Sequence, residues 1–181
     1  MLNWTPEMSM TYEVTRPGAG LTRGNDGDSG TDCLLPTLTD EFIRACVYTP
    51  ADVYRNMPVA WYPDGDERYI VLPGLKGILI PTGIKVDLPH GFDITVKDKS
   101  GVAKNACLKV NGGLVDSPYT GEVHVHLMNL SPNNVVLQEG QKLAQFVIRP
   151  VCYPTWTLGV VDKVTSRGAG GHGSTGLFVQ P

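Results

Sequence analysis

Asp116 stands at the end of a short apolar run, just before Ser117 and Pro118, and is the first group here that could do chemistry. A carboxylate held rigidly at a strand end can orient a water and take its proton. The same residue beside Ser-Pro can equally cap a turn. Residues 167–176 (RGAGGHGSTG) offer a second kind of chemistry. Their glycines let backbone N–H groups approach an anion, the hydroxyls add donors, and Arg167 carries a fork matched to phosphate oxygens. No Lys precedes the Ser-Thr pair, so the stretch is not the common nucleotide-binding phosphate loop. A flexible tail has the same composition. Residues 98–101 (DKSG) read as a turn whose Lys99 and Ser100 could meet phosphate or simply face solvent. Residues 26–32 (DGDSGTD) place three carboxylates among glycines, which suits either a hard cation or a solvated loop, without EF-hand spacing. His124 and His126 alternate with valines, as two ligands from one strand would. No third His or Cys is near them, which favours solvent-facing or interface histidines.

These groups need a scaffold, and the pattern around them is that of strands. Short β-type runs fall at 69–72, 77–81, 92–96, 107–110, 122–128, 134–137 and 143–148, separated by Gly, Pro and Asn. Along 122–128, Val123, Val125 and Leu127 share one face and Glu122, His124 and His126 the other. Frequent turns between short strands predict an all-β sandwich or barrel. One helix is predicted over 40–48, with Thr39 as its N-cap and Pro50 stopping it. Residues 49–68, rich in Pro, Asp and aromatics, read as an irregular surface excursion.

With 181 residues and 41% hydrophobic content, the chain suits one domain with a real core. Its 21 Gly and 14 Pro are scattered rather than periodic, in keeping with many turns. A net charge of −3 supplies no basic footprint for nucleic acid, though a few local groups can still hold a small anion. Cys33, Cys46, Cys107 and Cys152 lie far apart with no Cys-x-x-Cys pair, so reduced thiols and a cytoplasmic location are expected. No signal peptide or membrane-spanning run is read in the chain, and no membrane partner is expected.

Five segments in order add a further layer: 28–33 (DSGTDC), 98–103 (DKSGVA), 113–123 (GLVDSPYTGEV), 140–147 (GQKLAQFV) and 167–176. Together they resemble the five ordered motifs of the trimeric dUTPase family, and 80–86 (IPTGIKV) is similar to the strand leading to its second motif. The resemblance runs from about Asp28 to Gly176, apart from an apparent insertion near 37–68. It implies a jelly-roll-like β barrel or sandwich, and the short helix read over 40–48 would lie in the insertion. Residues 1–165 would form the β domain, and 166–181 a flexible C-terminal arm closing over a neighbouring subunit's site. A homotrimer with shared active sites, dUTP as substrate and Mg²⁺ as cofactor are implied with it. A relative acting on dCTP or a modified dUTP is the nearer alternative, and a binding or regulatory protein of the same fold without turnover the other.

By the same resemblance, Asp116 activates the water that attacks the α-phosphate, and Tyr119 packs under the deoxyribose and excludes a 2′-hydroxyl. Asn111, Gly113 and Val115 belong to the hairpin that reads uracil. Lys99, Ser100, Gly101 and Gln145 match substrate-contacting positions near the phosphates. Arg167, His172, Gly173, Ser174 and Thr175 match the arm, and Asp32 a water-mediated partner of Mg²⁺. The chain departs from the family pattern in three places. Lys99 stands where Arg is usual, Pro118 where an acidic residue is common, and His172 where the stacking aromatic is often Phe. At Lys99 a planar fork gives way to a point charge.

Overall fold

A computed structural model describes residues 8–49, 68–161 and 164–170. Its elements run β1 (Thr11–Val14), β2 (Leu21–Thr22), β3 (Thr31–Leu34), α1 (Asp40–Ala45), β4 (Val47–Thr49), β5 (Tyr69–Leu72), β6 (Gly77–Pro81) and β7 (Ile84–Asp87). They continue with β8 (Phe92–Asp98), α2 (Ser100–Ala106), β9 (Leu108–Val110), β10 (Leu114–Asp116), β11 (His124–Asn129), β12 (Val135–Gln138) and β13 (Lys142–Pro150). A five-stranded sheet has the order β10-β8-β13-β3-β2, and a four-stranded sheet the order β4-β6-β11-β9. Strand pairs β1-β7 and β12-β5 complete the fold. Every pairing is antiparallel. This is the all-β, jelly-roll-like architecture expected.

Alternation builds the core. Val123, Val125 and Leu127 are buried, while His124 on the opposite face is exposed. Ile78 and Ile80 of β6 and Ile94 and Val96 of β8 join them, along with Leu143 and Phe146 of β13. Each fully buried aliphatic side chain contributes about 1.5–3 kcal/mol relative to exposure. That is enough to fix the register, because a one-residue slip would turn each strand's apolar face outward.

The predicted helix starts where expected, with the Thr39 hydroxyl accepting from the Phe42 N–H at 3.1 Å. It ends at Ala45 rather than 48, because Cys46 is extended and Val47–Thr49 pair with β6 instead. A second helix, α2, begins where a simple turn was read at 98–101. It is capped at its C-terminal end by Cys107 in the left-handed region at φ 52°. All four cysteines are free thiols. Among the described residues, no helix is long and apolar enough to cross a membrane.

Candidate active site

The five-stranded sheet and the β8–α2 junction form one group of motif residues. Register places Gln145 of β13 between Asp32 of β3 and Lys97 of β8. Lys99 and Ser100 enter at the start of α2. Together with Asn25, Ser29 and Asp98 these residues line a basin of about 500 Å³. Gln145 donates from Nε2 to the Asp98 carbonyl at 2.8 Å, which fixes its amide at the rim. Gly101 follows in the first turn of α2.

Asp32 lies at the centre of that group. Its side chain is 6% exposed, and its oxygens meet Lys99 Nζ at 3.1 Å and Lys142 Nζ at 2.8 Å. Burial works against its ionisation, yet the hydrogen bonds and charges of Lys142 and Lys99 outweigh it and hold its pKa below the ordinary carboxylate value. Asp28, Asp32 and Asp98 line the basin beside Lys97 and Lys99, so these lysines and Lys142 balance its carboxylates. Lys142 was not singled out from the sequence. Its register beside Leu34, one bulge away from Ala144, brings it to Asp32. Sequence spacing carries no trace of that pairing.

A second group sits at β9, β10 and the turn after them. Gly113 brings the β9–β10 connection against β8: Val96 N–H donates to the Gly113 carbonyl at 2.6 Å, and a Cβ on Gly113 would lie 2.5 Å from the Val96 carbonyl oxygen. A cavity of about 300 Å³ opens beside it, lined by Lys97, Lys109, Gly112, Gly113 and Leu114 among others. Asp98 ties this segment to the first group, accepting from the Val110 N–H at 2.6 Å and from Lys109. Burial opposes the Asp98 charge, and those bonds overcome it, so its pKa also falls. Asn111 continues the β9–β11 ladder, its N–H donating to the His126 carbonyl at 2.9 Å. His126 in turn meets the Thr49 hydroxyl at 2.8 Å. Neither histidine of β11 belongs to a metal-holding group among the described residues. Val115 is half-buried against the core.

Asp116 closes β10 with an exposed side chain, opposite Asp93 on β8. A like charge directly across a ladder is unfavourable. Here Arg149 grips Asp93 with two bonds of 3.1 and 2.9 Å and cancels its charge locally. Tyr119 N–H donates to the Asp116 carbonyl at 3.0 Å, so Asp116 and Tyr119 are the two ends of one turn.

The chain does not unite all these groups. Asp116 and Tyr119 line neither the Ser100–Gln145 basin nor the cavity beside Gly113. Arg167 lies in an exposed turn, donating to the Gly170 carbonyl at 2.8 Å. His172, Gly173, Ser174 and Thr175 lie outside the described residues. Size does not mark the site either. A larger cavity of about 650 Å³, between Thr37–Thr39, Arg68, Tyr69, Gln138 and Glu139, contains none of the motif residues.

A family model described as dUTPase matches residues 66–176. The chain belongs to the dUTPase family. A deoxyuridine 5'-triphosphate nucleotidohydrolase of Desulfotalea psychrophila is 42% identical over 102 residues, 55% of this chain and 68% of that protein. The native dUTPase of EIAV shares 26% identity at a TM-score of 0.60, covering 86% of this chain and all of the other. The Staphylococcus bacteriophage 80alpha dUTPase, solved with dUPNHPP, superimposes at a TM-score of 0.70 over 93% of this chain and 99% of its own. At 18% identity that likeness speaks for the dUTPase fold alone.

Proposed function

We propose that this chain is a dUTP diphosphatase that hydrolyses dUTP at the α-phosphate to dUMP and pyrophosphate. Membership of the dUTPase family supports this, as does the name of its 42%-identical relative. The observation that carries it is the turn in which Asp116 and Tyr119 stand three residues apart, joined by a backbone hydrogen bond, at the open end of β10. Asp116 takes a proton from a water whose oxygen attacks the α-phosphorus. The bond from that phosphorus to the bridging oxygen breaks, and pyrophosphate leaves. General-base help of this kind is worth about 10²–10⁴ in rate. Tyr119 fills the space where a 2′-hydroxyl would sit. Asn111, Gly113 and Val115 present the backbone of the β9–β10 segment to uracil, and a site built for those hydrogen bonds rejects a base that leaves them unpaired.

Lys99, Ser100, Gly101 and Gln145 hold phosphate oxygens, with the Lys99 ammonium as the charged donor among them. Arg167, His172, Gly173, Ser174 and Thr175 close over the nucleotide from a neighbouring subunit. The working assembly is a homotrimer. The residues after β13 support this: Trp156 is 89% exposed and Val160 and Val161 are each 92% exposed. Such a row of apolar side chains with so little cover from its own chain is what a segment laid on another subunit, leading into the arm, presents. Residues 1–165 then act as the catalytic body and 166–181 as the closing arm.

Mg²⁺ fits this site only as an ion carried on the substrate. Among the described residues no three His, Cys, Asp or Glu side chains are grouped to hold one, and the Asp32 oxygens already face two ammonium groups. A magnesium ion keeps most of its waters and binds phosphates readily, which suits that donor set. Asp32 is the carboxylate that would face its water shell. When bound, the ion supplies charge neutralisation on the triphosphate.

The test is pyrophosphate release with Mg²⁺ from dUTP, dCTP, dTTP and UTP. The expected result is dUTP far ahead of the others, with Asp116→Asn silent but still binding nucleotide. UTP turned over as fast as dUTP would remove the role given to Tyr119. Binding without turnover by the unaltered protein would point to a regulatory relative instead, and preference for dCTP would move the substrate to that base.

A further inference from the structure

The turn carrying Asp116 and Tyr119 is held from behind by a contact that neither motif spacing nor the proposed chemistry uses. Glu122 follows the turn three residues on, and its carboxylate accepts Arg16 Nε at 2.7 Å and Arg16 Nη2 at 2.9 Å. Its Oε1 also accepts the Gly83 N–H at 2.6 Å. Both side chains are largely enclosed, at 21% and 16% exposure. The backbone carbonyl of the same Glu122 accepts the Tyr119 hydroxyl at 2.8 Å and meets His124 Nδ1 at 2.9 Å. The ring of Tyr119 lies over Gly121, where a Cβ would come within 2.6 Å of the phenol Cζ. Tyr119 is therefore fixed at its backbone by Asp116 and at its hydroxyl by Glu122.

Arg16 reaches the turn from a distant part of the chain. It follows β1, whose pairing with β7 is extended by the Thr15 N–H to Gly83 carbonyl bond of 2.8 Å. Its guanidinium also lies 5.9 Å from the ring centre of Phe42 in α1. One cation thus joins the N-terminal segment, the insertion helix and the β6–β7 turn to the peptide that holds Tyr119. A bidentate guanidinium–carboxylate pair fixes direction as well as distance.

We propose that Arg16 and Glu122 are positioning residues that set the Tyr119 ring against the sugar and thereby sharpen the choice of deoxyribose over ribose. This rests on the reading of Tyr119 given above. Displacing a substrate-facing group by about 1 Å can cost on the order of a hundredfold in rate.

The test measures kcat and KM for dUTP and UTP, with thermal unfolding, in Arg16→Met, Glu122→Gln, the double variant, Arg16→Lys and Tyr119→Phe. The dUTP-over-UTP ratio of kcat/KM should fall by about tenfold or more in each single removal. Arg16→Lys, which keeps charge but loses the fork, should fall between. The double variant should regain thermal stability, since no unpaired charge remains, while its ratio stays low. A double variant that regains both would overturn the proposal, because the pair would then be holding only the fold. Tyr119→Phe leaves the ion pair intact, so it reports on the hydroxyl even if the charge variants do not fold, and an unchanged ratio there also overturns it. Tyr119→Ala separates the two readings. If even that variant keeps the wild-type ratio, Tyr119 itself does not read the sugar; if it loses the ratio while Glu122→Gln keeps it, only the clamp is wrong.

Discussion

Asp32 is nearly enclosed and still ionised, because Lys99 and Lys142 share its two oxygens. Its folded pKa lies below the ordinary value of 3.8, so the stability it contributes is present above that value. It is lost as pH falls through the lower folded value. Asp98 and Glu122 are shifted the same way, so acid should loosen the site and the Tyr119 turn together. For Glu122 too, burial opposes the charge and the Arg16 and Gly83 bonds overcome it. Asp32→Asn should cost about 1–2 kcal/mol near neutral pH, less than a fully buried pair because both lysines reach solvent. Urea unfolding of both proteins across about pH 3 to 7 checks the sign: their difference should shrink below about pH 4. A constant difference across that range would mean that Asp32 contributes by packing alone. At this scale the sequence was informative about which residue types matter and silent about who holds them. Lys142, Arg149 and Arg16 lie 110, 56 and 106 positions from Asp32, Asp93 and Glu122 respectively, and only the register of the sheets joins them.

Among elements, the connection between β9 and β10, which lie in different sheets, depends on the absence of a side chain at Gly113. Gly113→Ala would drive a methyl into the Val96 carbonyl, and since that atom is backbone, the start of β10 must lift from β8. We expect a loss of about 1–3 kcal/mol in stability and a larger proportional loss in dUTP affinity, read by calorimetry. Gly112→Ala, where a Cβ would meet nothing but the backbone has φ of 76°, separates backbone strain from this clash. Equal effects on stability and affinity in the two variants would refute the clash as the cause. Strands whose apolar residues fill the core were legible: β5 and β6 fall on the runs read at 69–72 and 77–81. Strand β1 is exposed at all four positions, so no alternation announced it. Strand β3 was hidden because TDCL carries a site carboxylate inside its buried stretch. Helix α2 buries no residue and so had no apolar stripe to read. The overlong reading of α1 arose because the pairing of β4 with β6 overrides local helix propensity.

For the whole molecule, the separation of Asp116 from the Ser100–Gln145 basin within one chain decides which assembly experiment is informative. A chain lacking residues 166–181 should still assemble as a trimer in sedimentation, because the described strands end at Pro150, but should lose turnover. Asp116→Asn should assemble and be inactive for a different reason. If each site takes its carboxylate from one subunit and its arm from another, mixing the two inactive proteins under conditions of subunit exchange should restore activity. A site works when the chain supplying Asp116 is the armless one and the chain supplying the arm is the Asn variant. With equal amounts and random assembly, that holds for about a quarter of the sites. Recovery approaching a quarter of the wild-type rate therefore supports sharing. If one chain built its own site, every chain in the mixture would lack either its carboxylate or its arm, and exchange would restore nothing. The exposed row from Trp156 to Val161 supplies the control. Replacing Trp156 and Val160 by Ser in the Asn variant should weaken the arm's hold on its neighbour and lower the recovered rate, without changing the turnover number of the sites that still form.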